Sequence, residues 1–298
     1  MGIKHIVQNS FYQIKGQKEA VIDGKSVQYQ STKRSGGGSF FRKEQLSVGG
    51  VYFLLTENYS TIDFSDGDAI IASSSGYYTF KLSGAKTAGN SRGGVTEASV
   101  YMTAEQPLYI KTFATSYAKT GGHGLYLGNV NALQPSGDRP NSTILVAGGG
   151  GYAGPNSQVG GGGGLTGGAG GGQQSPDFNN PNYYSIPGGQ QTSGGTGGYG
   201  GQTGTVWYGG NGGSGGQGSG PGSGGGHGWY GGGGSGGDNQ GGHGSGGGGS
   251  GYITGVLTNP NAHGHIIVPT ANTTTGAANN PSASGTNGTI LEIRVGAI

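Results

Sequence analysis

Between Gly148 and Gly251, 51 of 104 residues are glycine, against 25 in the other 194 positions. A chain without Cβ atoms has almost nothing to bury, so this stretch limits the fold more than any other feature. Ordering a residue costs about 1–2 kcal/mol of backbone entropy, and glycine lies at the costly end. A lone glycine segment cannot offset that, and the default for such composition is a disordered linker. The other solution is collective. An extended helix of three residues per turn, rising ~3.1 Å per residue, turns its N–H and C=O groups outward. Copies without Cβ atoms approach closely and pair those groups on all sides. Each bond contributes about 0.5–1.5 kcal/mol net, so order needs a bundle in which most groups are paired.

The flanks favour the bundle. Ile144-Leu145-Val146 runs straight into Gly148, and Gly251 runs straight into Tyr252-Ile253. A linker has no reason to be bracketed by strands that must pair around it. Glycine-dense passages (148–151, 160–172, 188–201, 209–220, 222–237 and 241–251) alternate with loop-like pieces such as 173–184 and 203–208. Larger residues are expected at the turns or pointing out of the bundle.

The rest of the chain reads as β. Val51–Leu55, Ala69–Ile71, Tyr77–Leu82, Ala98–Met102 and Leu108–Lys111 are short β-branched and aromatic runs between Gly, Ser, Asn and Asp clusters. His265–Val268 and Ile290–Val295 resume the signal after the insert. Tyr78, Phe80 and Leu82 alternate with Thr79 and Lys81, the period of a half-buried strand. An antiparallel sandwich is expected. The first 45 residues carry eight basic and three acidic side chains and lead into the flexible Ser35-Gly36-Gly37-Gly38-Ser39. The expected division is a 1–45 attachment segment, first sandwich part 46–147, glycine-rich bundle 148–252 and closing strands 253–298.

Composition excludes several classes. Charged residues make up 9% of the chain, too few for a coiled coil, an acidic activator or a basic nucleic-acid tail. The glycine-rich stretch has Asp177 and Asp238 but no Lys, Arg or Glu, which removes nucleic-acid binding there. The chain has no cysteine, hence no disulfide framework or thiol chemistry. The glycines do not follow the strict collagen period, and no run has the ~18 apolar residues of a membrane span. Met1–Ile6 lacks the apolar region of a secretory signal, so assembly in a cytoplasm is expected. Gly-x-Ser-x-Gly at Ser214 and Ser235 follows from composition and lacks the strand-turn-helix setting of a nucleophile elbow. Neither an enzyme nor a cofactor is expected.

Two clusters have the side chains of a metal site. Asp63, Asp66 and Asp68 could surround Ca²⁺, but a solvated turn explains them as well. His263 and His265 share a strand face, without a third ligand in the sequence nearby. His123 and His227, each between glycines, fit a hydrogen-bonding role in the bundle.

Ile144–Gly151, Gly163–Gly168, Gly188–Gly195, Gly228–Gly234 and Gly246–Ile253, in order and spacing over roughly 77–253, resemble the glycine-rich domain of the anaplastic lymphoma kinase receptor family and its microbial relatives. The resemblance implies polyglycine type II helices inserted in a TNF-like or jelly-roll antiparallel sandwich, an all-β fold. The chain departs from the receptors in lacking cysteine, a signal peptide, a membrane span and a kinase, so receptor signalling is not carried over. More loosely, it resembles the tip adhesins of T-even-like phage tail fibres, which implies receptor binding by loops at the bundle ends.

The expected function is therefore a non-enzymatic adhesin of a phage tail or virion that recognises a bacterial surface protein or glycan. The alternative is a purely structural tail, capsid or cell-surface component. The first 45 residues would attach to another virion protein, and the sandwich could form a homo-oligomer. Candidate receptor-binding residues are Phe178, Tyr183, Tyr184, Trp207 and Tyr208, because Tyr and Trp give contact area at low entropic cost. Trp229-Tyr230 is expected to cover the bundle side against the sandwich.

Overall fold

The computed structural model describes residues 66–72, 75–87, 91–104, 107–115, 121–135, 138–153, 160–173, 184–198, 200–213, 222–236 and 244–254. Outside that span it describes strand backbones at 12–22, 25–34, 42–46, 49–54, 272–274 and 290–295. The linker 35–39, Asp63, His263–Val268, Phe178 and Tyr183 lie outside the described residues.

β1 (Tyr12–Ile22) and β2 (Lys25–Arg34) pair with each other in a two-stranded antiparallel sheet. There follow β3 (Arg42–Leu46), β4 (Gly49–Leu54), β5 (Ala69–Ala72), β6 (Gly76–Ser83), β7 (Val95–Met102), β8 (Pro107–Phe113) and β9 (Gly124–Gly128). One helical turn, α1 (Arg139–Ser142), opens into β10 (Thr143–Ala147). The glycine-rich stretch holds β11 (Gly170–Gln173), β12 (Tyr184–Ile186), β13 (Val206–Trp207) and β14 (Gly228–Tyr230). β15 (Tyr252–Ile253), β16 (Asn272–Thr274) and β17 (Ile290–Val295) close the chain. The described residues are thus almost entirely strand and extended backbone, an all-β fold.

Two sheets face each other. One has seven strands in the order β15-β10-β9-β8-β5-β4-β3, antiparallel except for the β4–β5 pair; the other is β16-β7-β6-β17. β3 straddles the expected boundary at 45/46. Their shared core takes Ile70, Leu108, Ile110, Leu125, Leu127 and Leu145 from the first sheet, and Tyr78, Phe80, Leu82, Val100 and Met102 from the second. β6 has the alternation that its sequence predicts, with Thr79 and Lys81 partly exposed between buried neighbours. β9 and β10 are buried at every position, because both faces of the sheet are covered there.

Five strands continue directly into glycine segments: β6 into 84–87, 91–94 into β7, 121–123 into β9, β10 into 148–152, and 244–251 into β15. The hydrogen bonding continues with them, as in Gly84 N–H to Gly94 O (2.9 Å) and Gly94 N–H to Gly148 O (2.7 Å). From 148 onward the chain runs out and back in short straight segments: 148–152, 160–163, 167–171, 186–189, 193–198, 201–205, 208–213, 222–227, 231–236 and 244–250. Glycine-dense passages such as 188–201 therefore contain reversals. Turns at the sandwich end fall at 163–167, 190–193, 205–208 and 228–230, and Gly163 and Gly164 take φ of 86° and 71° there.

Segment 231–236 shows how the bundle is held. Every N–H and C=O from Gly231 to Ser235 is paired, and the partners lie on six surrounding segments. Gly231 and Gly234 bond to Thr205 and Gln202, Gly232 to Gly226, Gly233 to Pro187 and Ser235 to Ser223. In return their carbonyls accept from Gly195, Gly198, Gly210, Gly213 and Gly247. The contacts have a three-residue period. A Cβ at Gly231 or Gly234 would strike the backbone of 208–213, one at Gly232 that of Gly247, and one at Gly233 that of Thr196. The same holds for 244–250, where Gly246 and Gly249 both face 222–227.

The interior is not restricted to glycine, contrary to the expectation that larger side chains point outward. Ser91, Ser223, Ser235, Ser245, Ser250 and His227 are all buried. Three of these serines have hydroxyls with a backbone partner, Ser235 Oγ donating to Gly244 O (2.7 Å), Ser91 Oγ to Gly160 O (2.8 Å) and Ser250 Oγ to Gln190 O (2.9 Å), whereas Ser223 Oγ is buried without one.

Candidate recognition surface

The sandwich end of the bundle is closed by aromatic packing. Phe113, Tyr126, Val146 and Tyr252 project from the outer face of the seven-stranded sheet and meet Trp207 of β13 and Trp229 of β14. Trp207 is edge-on to Phe113, Tyr126 and Trp229, with ring centroids 5.4, 5.9 and 5.7 Å away. Trp229 stacks on Tyr252 at 3.7 Å. Both indole N–H groups are satisfied, Trp207 Nε1 by Gln134 O (2.8 Å) and Trp229 Nε1 by Gln191 O (3.0 Å). Burial pushes the Tyr126 phenol up from its usual pKa, and its hydroxyl donates to Val130 O or Ser142 O.

Arg139 joins this cluster although 3% exposed. Its guanidinium carbon lies 3.6 Å from the Trp229 centroid and 4.4 Å from that of Tyr230, and Nη1 donates to Trp229 O at 2.7 Å. Burial lowers its pKa, but a guanidinium stays charged in proteins. The π faces and a carbonyl thus provide the local stabilisation of this cation.

His227 is the second buried polar side chain at this end. Gly209 N–H points at its Nδ1 (3.1 Å) and Thr115 N–H at its Nε2 (3.3 Å), with the Tyr208 ring edge-on at 6.0 Å. A neutral imidazole accepts at one nitrogen and an imidazolium at neither. Burial, and to a lesser degree the neighbouring His123, pushes the His227 pKa down to about 3.

The structure separates the candidate residues. Trp207 was expected to lean toward exposure; it is buried at 4%, and at φ 68° it is the only non-glycine residue with positive φ among those described. Tyr208, its neighbour, is 38% exposed. Both belong to a turn at the sandwich end. Tyr184 opens β12 opposite Gln173, toward the other end, and the connection with Phe178 and Tyr183 joins these two residues. Trp229 covers the sheet, as its position suggested. Asp66 is occupied at a turn: it accepts from Thr112 N–H (2.8 Å) and pairs with Lys111 (3.4 Å).

Described residues at the end away from the sandwich include Gly151 and Gly160, bonded to each other, and Gly213, bonded to Gly222. Five exposed side chains (Ser193, Thr196, Gln202, Thr205 and Tyr208) and the partly exposed Asn211 line an uncharged flank. Among the described residues no group of three or more His, Cys, Asp or Glu side chains could hold a metal ion, and no helix is long and apolar enough to cross a membrane. No protein-family model matches the chain, and no curated protein matches it.

Proposed function

We propose that this chain is a non-enzymatic receptor-binding protein of a phage tail or virion, which meets a bacterial surface protein or glycan at the bundle end remote from the sandwich. The glycine segments act as polyglycine type II helices, and the two sheets as a jelly-roll-like base. One observation carries the proposal: Trp207, Trp229 and Arg139 fill the sandwich end of the bundle, so among the bundle's described residues the opposite end and the flanks remain open to a partner. A lattice of backbone bonds holds that end whatever the sequence of its connections, which leaves them free to vary with the receptor. The N-terminal segment would attach the protein to another virion component.

Retention of purified full-length protein on whole cells from a panel of bacterial strains tests this. Binding to some strains, reduced at least tenfold by Phe178→Ala with Tyr183→Ala at unchanged melting temperature, is the expected result. Absence of binding across the panel, with the protein folded, would favour the purely structural component.

A further inference from the structure

The geometry points to a second binding surface, on the flank of the bundle, for a neutral glycan. Ser193 and Thr196, Gln202 and Thr205, and Tyr208 and Asn211 are pairs three residues apart, one pair on each of three straight segments. With three residues per turn these side chains leave one side of the chain, in steps of ~9 Å along each straight segment. Segments 193–198, 201–205 and 208–213 lie side by side: Gly204 N–H bonds to Gly195 O, and Gln202 N–H to Asn211 O, both at 2.9 Å. Behind them 231–235 bonds to all three. The outward residues therefore stand in a two-dimensional array on a fixed support.

The chemistry of the array selects the partner. It has three hydroxyls, two carboxamides and one phenol, each able to donate and accept, and no charge. Sugar hydroxyls need that mixture of donors and acceptors, and the exposed Tyr208 ring offers an apolar face to a pyranose. A phosphate or nucleic acid would need Lys or Arg, which the flank lacks. A membrane or a tightly bound protein would need a contiguous apolar patch or a pocketed aromatic anchor. Soluble surfaces ordinarily have about 25–35% charged residues, and outward positions such as these could accept them. A neutral polyhydroxylated chain lying along the segments matches what is present.

The test uses full-length protein on an array of neutral hexasaccharides of glucose, galactose, mannose and N-acetylglucosamine in α and β linkages. Binding to at least one member is expected, with little change between 50 and 500 mM NaCl. Gln202→Ala and Thr196→Lys, both at exposed positions, should each weaken it at least tenfold without moving the melting temperature. Phe178→Ala with Tyr183→Ala should leave it intact, which separates this surface from the receptor end proposed above. No binding to any member, equal binding by the flank variants, or binding only to charged polysaccharides would overturn the proposal. So would self-association through the flank, seen as a sedimenting oligomer that Thr196→Lys dissolves.

Discussion

Adding one methyl group at Gly233 tests the bundle at its centre. The new Cβ would overlap the carbonyl oxygen of Thr196, with the Gly195 carbonyl also close. Ordinary contacts lie near 3.5–4.0 Å, so segment 193–198 would have to retreat by roughly an ångström. That retreat pulls on Gly195 N–H to Gly231 O (2.9 Å) and Gly198 N–H to Gly234 O (2.8 Å). Losing each of these two buried bonds costs about 1–3 kcal/mol, so Gly233→Ala should destabilise by about 2–6 kcal/mol. Gly76→Ala is the control: no heavy atom lies within 4 Å of its Cβ position. Removing glycine from a strand there should be neutral or stabilising by up to ~1 kcal/mol. Urea unfolding of both variants, followed by tryptophan fluorescence, measures the difference. If Gly233→Ala unfolds within about 0.5 kcal/mol of the parent, the close-packed backbone lattice is refuted.

Acid should loosen the junction between bundle and sandwich. The His227 pKa falls from 6.5 to about 3 on folding, so its contribution is fully present above pH 6.5 and is lost as pH falls toward 3. Between pH 7.5 and 4.5 the linkage amounts to about 2–3 kcal/mol. Melting curves at these two pH values should show that loss in the parent and much less in His227→Asn; an identical loss in both would remove His227 as the cause. Trp207→Ala empties a buried aromatic site and should cost about 3–5 kcal/mol, while cell retention persists below the lowered melting temperature. Lost retention with intact folding would return Trp207 to the binding surface. Arg139→Met leaves the Trp229 carbonyl without its buried donor and should lower stability by about 1–3 kcal/mol, read from the same denaturation curves.

Much of the sandwich was legible because its strands obey local rules. Ile290–Val295 was bounded from its alternation alone, and Tyr78, Phe80 and Leu82 were correctly assigned to one face. What escaped was tertiary. Nothing local distinguishes Trp207, which is buried, from Tyr208, which is exposed; the difference depends on Phe113, Tyr126 and Trp229. Arg139 reads as an ordinary surface cation until the aromatic faces around it are assembled. One signal was readable in the sequence: Ser193 and Thr196, and Tyr208 and Asn211, are each separated by a glycine pair, and Ser193, Thr196 and Tyr208 are exposed.

Hydrogen exchange at the amides of 231–235 tests the central claim most directly. These residues have few side-chain contacts, so protection can come only from the backbone bonds to their six neighbours. Slow exchange, comparable with β10 of the sandwich, is predicted. Exchange at the rate of an unstructured glycine peptide would contradict the lattice, and the proposed receptor-binding scaffold would fall with it.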